Sequence, residues 1–161
     1  MRVLLDTSFL ITLVNTKRKN HQIAKSYYRH MIQHNIQMCV SAIAISEYAV
    51  KDSIATLPAG NLIILPFNAL DGIESARLYN EIFRDDGDNR QAVKDDVKLM
   101  GHGAREKIPF MLTDDKNTLW KYCNRLVTKG IITLKTIALV DGFDDCAFDD
   151  DAQIGLGLGT P

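Results

Sequence analysis

The chain has 161 residues, of which 46% are hydrophobic and 24% are charged, as in an ordinary globular protein with one domain. No apolar stretch approaches the length of a membrane span, and the first residues lack the basic-then-apolar pattern of a signal peptide. The three cysteines, Cys39, Cys123 and Cys146, stand far apart. Their odd number argues against a disulfide framework or a zinc site and predicts a cytoplasmic protein.

The net charge of −1 hides an uneven distribution of charge along the chain. Between Asp141 and Asp151 there are six aspartates and no basic residue. The other 150 residues carry 19 basic side chains against 14 acidic ones, a net charge of +5. A mildly basic body of this kind tolerates a polyanionic partner such as a nucleic acid without requiring one.

Short apolar runs alternate with helical patterns along the whole chain. The patterns predict strands at 2–5, 37–40, 62–65, 110–112 and 131–140. Helices are expected at 9–16, 21–34, from Ser41 to about 53, and at 69–84, 94–107 and 116–128. This order predicts an α/β fold, a twisted, mostly parallel sheet of four to five strands with helices on both faces. We expect one domain over residues 1–140 and an acidic, Gly-rich tail over 141–161.

Asp6 ends the first apolar run and is followed by Thr7 and Ser8. The carboxyl end of a strand is where open α/β sheets bind ligands, so Asp6 is a candidate site residue. Ser8 is predicted to be the N-cap of the following helix. A capping role for Asp6 itself is an equally simple explanation of this acid.

Two further acids are predicted to face inward from helices. Glu47 falls on a stripe whose other members are apolar, and an unpaired carboxylate there would be costly to bury. A salt bridge to Arg or Lys would explain Glu47 as well as an active-site cavity. Asp96 aligns with Leu99, Met100 and Gly103 on one helical face, whereas Asp95 is explained by the helix dipole.

A fourth acidic position follows the strand that ends at Leu112. Thr113, Asp114 and Asp115 repeat the arrangement seen at Asp6, a buried strand followed by a hydroxyl residue and carboxylates. Several carboxylates in one cleft repel one another unless some are protonated or a cation neutralises them. With oxygen ligands and no His or Cys pattern, Mg²⁺ or Mn²⁺ is the expected ion, and such ions promote phosphodiester hydrolysis.

These motifs, taken in order, resemble the PIN-domain nucleases over roughly residues 2–135. The resemblance rests on Leu4-Leu5-Asp6-Thr7-Ser8, on Val40-Ser41 followed by Glu47, on Asp96 with Leu99, and on Pro109 through Thr113-Asp114-Asp115. It implies that Asp6, Glu47, Asp96 and Asp115 bind the metal and are catalytic, with Ser8 and Thr113 in support. An added residue between Pro109 and Thr113 leaves Asp114 as an alternative fourth acid.

The resemblance implies an Mg²⁺- or Mn²⁺-dependent endoribonuclease that cleaves single-stranded or structured RNA. A single domain of this size resembles the VapC-like toxins of bacterial toxin–antitoxin pairs. That resemblance implies an antitoxin partner and a homodimer, with no membrane association. The alternative is a catalytically inactive PIN-fold module that binds RNA or protein, since fold does not determine function. One departure from the family is the pair Gly101 and Gly103 within a predicted helix, each costing roughly 1 kcal/mol relative to Ala.

The acidic tail permits two predictions. A segment with six aspartates and alternating glycines is typical of a solvated, flexible end. Alternatively the tail folds back on the basic surface of its own chain or on a second copy. In that arrangement it would compete with RNA as a tethered anion.

Overall fold

The computed structural model describes residues 1–58 and 60–149. The strands are β1 (Arg2–Leu5), β2 (Gln37–Ser41), β3 (Leu62–Leu65), β4 (Phe110–Thr113) and β5 (Lys135–Ala138). The helices are α1 (Thr7–Val14), α2 (His21–Gln33), α3 (Ala42–Lys51), α4 (Ala69–Glu81), α5 (Arg90–Arg105) and α6 (Leu119–Thr128). Two single turns of 3₁₀ helix lie at Ile54–Thr56 and Leu139–Asp141. No helix in the described ranges is both long and apolar enough to cross a bilayer.

The five strands form one parallel sheet in the order β3-β2-β1-β4-β5. The register pairs Leu5 of β1 with Val40 of β2 and with Leu112 of β4. The carboxyl ends of the three central strands therefore lie side by side. The predicted α/β fold with a parallel sheet of this size is confirmed.

Each face of the sheet is covered by helices, so the sheet is the middle of three layers. Successive residues of a strand point to opposite faces. Val3 and Leu5 accordingly pack in a core with α1, α2 and α3, whereas Leu4 packs in a second core with α4, α5 and α6. The near-continuous apolar composition of β1 follows from this burial on both faces.

Several predicted boundaries move because side chains cap the helices. Helix α5 begins at Arg90, four residues before its predicted start, since the Asn89 side chain accepts hydrogen bonds from the backbone N–H groups of Gln91 and Ala92. Helix α6 begins three residues late, at Leu119, because a turn closed by Asp115 precedes it. The last strand is shorter than predicted and spans only Lys135–Ala138.

Residues 141–149 pack against the domain. Phe148 is 2% exposed, belongs to the same core as Val3 and Leu5, and makes edge contacts with Phe110 and Tyr27. The division into a domain at 1–140 and a tail at 141–161 stays a prediction. Residues 150–161 of that tail lie outside the described residues.

Candidate functional site

The site forms where β1 and β4 end side by side. The Asp6 backbone N–H donates to the Leu112 carbonyl at 3.0 Å, which extends the pairing of the two strands to their carboxyl ends. The two residues that follow the paired strands, Asp6 and Thr113, therefore meet: the Thr113 hydroxyl donates to Asp6 Oδ2 at 2.8 Å. The parallel register thus brings the two similar sequence motifs together.

Asp6 is held by a network of hydroxyl groups. Its Oδ2 accepts hydrogen bonds from the Ser8 hydroxyl and, at 3.2 Å, from the Ser8 backbone N–H. The prediction of Ser8 as the N-cap of α1 is wrong and the alternative, a capping role for Asp6, is confirmed, because the Asp6 carboxylate accepts a backbone N–H of the first helical turn. Burial raises the pKa of Asp6; the hydrogen bonds from Ser8 and Thr113 act against this, and the charge of Glu47 adds to it.

Ser8 and Thr113 connect the two strand ends. Their hydroxyl oxygens are 3.1 Å apart, and the Ser8 hydroxyl accepts a hydrogen bond from the Asp114 backbone N–H at 2.8 Å. The Thr113 hydroxyl likewise accepts from the Asp115 backbone N–H at 2.9 Å. Both residues thus position the backbone that carries the last two acids.

Glu47 reaches the site from α3, but not from the buried face of that helix. The predicted inward stripe is wrong: Glu47 is exposed, and Val50 of the same stripe is 79% exposed. The buried residues of α3 are Ala44 and Tyr48, one turn apart, which leaves Glu47 at the edge of the core. From there its Oε2 accepts a hydrogen bond from the Thr7 hydroxyl at 2.5 Å, which holds it beside Asp6.

Asp96 projects from the first half of α5 into the same region. Its Oδ2 is buried and has no hydrogen-bond partner among the described residues. Burial raises the pKa of Asp96 to about 8, and the charges of Asp6, Asp115 and Glu47 add to that effect. The four carboxyl groups, those of Asp6, Glu47, Asp96 and Asp115, are therefore close enough to repel one another. They do not form a tight cluster within residues 1–58 and 60–149, because no set of three has carboxylate oxygens that all lie within 4.8 Å of one another.

Asp114 and Asp115 face different neighbours. Asp114 accepts hydrogen bonds from the side chains of Thr12 at 2.8 Å and Asn20 at 2.6 Å, which hold it against α1 and the following loop. Asp115 accepts from the Thr118 hydroxyl at 2.8 Å and from the N–H groups of Asn117 and Thr118, and its charge acts on Asp96. Asp115 thus stands on the side of the other three acids.

The donor set suits a hard divalent cation. Asp6, Glu47, Asp96 and Asp115 offer only oxygen atoms, which Mg²⁺ and Mn²⁺ prefer, and the unpartnered Asp96 Oδ2 is an atom that such an ion would satisfy. A cation bound by several of the acids would have to draw their oxygens closer together.

Two positioning residues were missed by the sequence analysis. Thr7 bonds to Glu47, and Thr118 bonds to Asp115. Each is a hydroxyl residue one to three positions after a strand-end acid, and that recurring spacing was the available signal.

Comparison with known proteins identifies the fold but not a sequence family. No protein-family model and no curated protein matches the sequence. Among solved structures, one similar chain belongs to VapBC2 from Rickettsia felis, a complex bound to a DNA fragment from its promoter. The TM-score is 0.56 at 15% sequence identity, and the match covers 84% of this chain and 98% of that one. A chain of DNA-bound VapBC from Salmonella typhimurium has a TM-score of 0.54 at 16% identity, covering 86% and 98%.

A third similar structure is VapC20 from Mycobacterium tuberculosis, described as a toxin that cleaves the sarcin–ricin loop. It has a TM-score of 0.53 at 14% identity and covers 83% of this chain and 98% of its own. The PIN-like fold expected from the resemblance is confirmed, and this protein has the fold of the VapC toxins.

Proposed function

We propose that this protein is an Mg²⁺- or Mn²⁺-dependent endoribonuclease that acts as the toxin of a toxin–antitoxin pair. The observation that carries the proposal is Asp96: a buried carboxylate oxygen without a partner, surrounded by three other acids. A buried carboxylate of this kind is unfavourable unless a bound cation neutralises its charge. The fold shared with VapC20, a toxin that cleaves the sarcin–ricin loop, supports RNA as the substrate class.

The roles of the residues follow from their contacts. Asp6 and Asp96 are proposed to bind the cation at the centre of the site, with Glu47 and Asp115 on either side. Ser8 and Thr113 orient Asp6, and Thr7 and Thr118 orient Glu47 and Asp115. When bound, a divalent cation polarises a phosphodiester and lowers the pKa of an attacking water.

The first test compares Asp96→Asn with Asp95→Asn. The two aspartates are adjacent, but Asp95 is paired with Lys98 at 2.7 Å and has no role in the proposed site. With ribosomal RNA and Mg²⁺ or Mn²⁺, we expect Asp96→Asn to reduce the cleavage rate by roughly 10²–10³-fold, because metal-assisted stabilisation contributes several kcal/mol. Asp95→Asn should cleave RNA at the rate of the wild type. A chelator should stop cleavage by the wild type and by Asp95→Asn.

Equal cleavage by the Asp96→Asn variant and the wild type would refute the catalytic role of Asp96, and no cleavage by the wild type with either metal would refute the nuclease assignment. RNA binding without cleavage under any metal would favour the alternative, an inactive PIN-fold binding module. Asp6→Asn provides a second variant, since it keeps the shape of the N-cap while removing a charge. We expect it to abolish cleavage and leave the fold intact.

The toxin role is supported by the shared fold with chains of two VapBC complexes. Its test is expression in a bacterial host: the wild type should arrest growth, and Asp96→Asn should not. Co-expression of the protein encoded beside this gene should restore growth if that protein is the antitoxin. The proposed homodimer is tested separately by light scattering of the purified chain, where a monomer would contradict it.

A further inference from the structure

A second group of metal-ligand side chains lies between the start of α4 and the end of α5. Asp71, His102 and Glu106 each offer one ligand atom, and these atoms all lie within 4.8 Å of one another. Asp71 is completely buried, His102 is 1% exposed, and Glu106 is half-buried. His102 and Glu106 are one helical turn apart, so their side chains share a face of α5.

Two buried atoms of this cluster have no hydrogen-bond partner. They are His102 Nε2 and Asp71 Oδ1. The other imidazole nitrogen, His102 Nδ1, lies 2.9 Å from the Ser41 hydroxyl oxygen, which also accepts the Ile43 backbone N–H at 3.2 Å. When Nδ1 donates to this hydroxyl, Nε2 carries a lone pair that is free to bind a metal. Metal-binding histidines have this arrangement, with the second nitrogen held by a polar neighbour.

Arg105 offers a simpler explanation for part of the cluster. Its Nε lies 3.3 Å from Asp71 Oδ1, and its Nη1 lies 3.2 Å from Glu106 Oε1, so the guanidinium neutralises both carboxylates. Arg2 adds a weaker ion pair to Glu106, with its Nη1 3.5 Å from Oε2. The ion pairs do not account for His102, because Nε2 makes no hydrogen bond to Arg105 or to any other described residue.

We propose that Asp71, His102 and Glu106 form a second metal site, which binds Zn²⁺ in exchange for the Arg105 guanidinium. One imidazole nitrogen and two carboxylate oxygens are a ligand set that Zn²⁺ accepts, with water in the remaining position. Arg105 is partly exposed and can turn into solvent.

Binding requires a modest movement of the ligands. Zn²⁺ bonds of about 2.0–2.1 Å place tetrahedral ligand atoms roughly 3.4 Å apart, whereas the three atoms lie within 4.8 Å of one another, so each pair has to close by at most about 1.4 Å. Glu106, which is half-buried at the end of α5, can supply that movement. The sequence analysis found no ligand pattern among the histidines because the set combines residues from two helices, and Asp71 shows no short spacing to His102.

The experiment measures Zn²⁺ binding by calorimetry. An excess of Mg²⁺ is present to compete for the proposed active site, whose ligands are all oxygen atoms. All variants carry His30→Gln and Cys146→Ser, because the exposed Cys146 and the stacked His30–His34 pair are alternative zinc ligands. We expect one Zn²⁺ per chain in this background and in Asp96→Asn. His102→Phe and Glu106→Gln should each weaken binding by more than about 100-fold, beyond the effect of losing a supporting residue.

His21→Phe is the matched control, since His21 is also buried and its Nδ1 lies 3.1 Å from the Thr12 carbonyl oxygen. It should leave zinc affinity unchanged. Arg105→Gln should tighten Zn²⁺ binding, because it removes the cation that pairs with both carboxylates while leaving the ligands in place. Glu106→Gln keeps the test informative if His102→Phe does not fold. Absence of Zn²⁺ binding, equal affinity in Glu106→Gln, or no gain in Arg105→Gln would overturn the proposal.

Discussion

At the scale of single residues, the pKa of Asp96 predicts how stability depends on pH. The folded protein raises this pKa from 3.8 to about 8, so the folded state binds the proton more tightly than the unfolded state. The contribution of Asp96 to stability is therefore largest below the unfolded pKa and is lost as the pH rises through about 8. Asp6 is shifted in the same direction.

We therefore expect the metal-free wild type to have a higher Tm at about pH 5 than at about pH 9, and Asp96→Asn to reduce that difference. At about pH 9 the variant should melt above the wild type, by about 2–4 °C for each 1 kcal/mol recovered. Thermal unfolding in the presence of a chelator measures the difference in Tm between the two pH values and the difference in Tm between the variant and the wild type. Asp95→Asn, which breaks the partly exposed ion pair to Lys98, is the control. An identical pH profile in Asp96→Asn and the wild type would contradict the prediction.

The contacts of Asp114 and Asp115 predict opposite effects for their substitution. Asp115→Asn should abolish cleavage, because Asp115 stands beside Asp96. Asp114→Asn should retain cleavage and lose about 1 kcal/mol of unfolding free energy, since an amide can accept from only one of its donors, Thr12 or Asn20. RNA cleavage assays and denaturant unfolding separate the two effects. Loss of cleavage in Asp114→Asn alone would make Asp114 the fourth acid.

The sequence identified these acids for partly incorrect reasons. Asp6 and Thr113 could be predicted to meet, because parallel strands place their carboxyl ends on one rim. Glu47 was assigned to a buried stripe, whereas α3 buries the Ala44–Tyr48 face and leaves Glu47 at its edge. Helical periodicity specifies which residues share a face, but it does not specify which face meets the core. That choice depends on the neighbouring helices.

At the scale of elements, two glycines in α5 have different surroundings. A Cβ on Gly101 would lie 2.8 Å from backbone atoms of Ser75 in α4, which cannot move easily. A Cβ on Gly103 would lie 3.0 Å from methyl groups of Leu4 and Leu134, which can shift. The glycines that seemed unfavourable in the sequence therefore permit close packing, Gly101 against a helix and Gly103 against the sheet.

Gly101→Ala should consequently destabilise the protein by about 1–3 kcal/mol, since overpacking outweighs the gain in helix propensity. Gly103→Ala should change stability by less than about 1 kcal/mol, because that gain offsets a mild steric cost. Denaturant unfolding of the two variants checks this. Equal destabilisation of both would mean that the approach of α4 to α5 does not limit the packing of α5.

The order and type of the elements could be predicted, but several ends could not. The alternation of short apolar runs with helical patterns indicated all five strands. Helix starts depended on side-chain caps: the sequence offered both Asp6 and Ser8 as the cap of α1 without deciding between them, and it did not indicate Asn89 as the cap of α5. A local hydrogen bond decides each start, and several nearby residues could make it.

At the scale of the whole molecule, the described part of the acidic segment is divided between two regions. Asp145 and Asp149 line a cavity of about 730 Å³ with Met1, near the amino ends of the strands and away from the acidic site. Asp141, in contrast, pairs with Lys116, the residue after Asp115. Truncation after Val140 would remove the buried Phe148 as well, so it does not isolate the effect of charge.

Single substitutions provide a cleaner test of whether the acidic segment competes with RNA. Asp141→Asn releases Lys116 beside the proposed active site, where a free ammonium group can contact a phosphate. We expect tighter RNA binding and a salt dependence steeper by about one unit in the slope of log K against log salt. Asp145→Asn is the matched control. It removes the same charge near the other end of the strands and should change binding less, because exposed charges are screened over about 10 Å at 0.1 M salt.

RNA binding by the two variants should be measured across a salt series, on a background of Asp96→Asn so that the RNA is not cleaved. Equal affinities for Asp141→Asn and Asp145→Asn would mean that only net charge matters and that Lys116 does not contact the RNA. A gain confined to Asp141→Asn would place the RNA backbone at the start of α6. In that case the acidic segment acts on the site through Asp141, because Asp145 and Asp149 lie near the opposite ends of the strands.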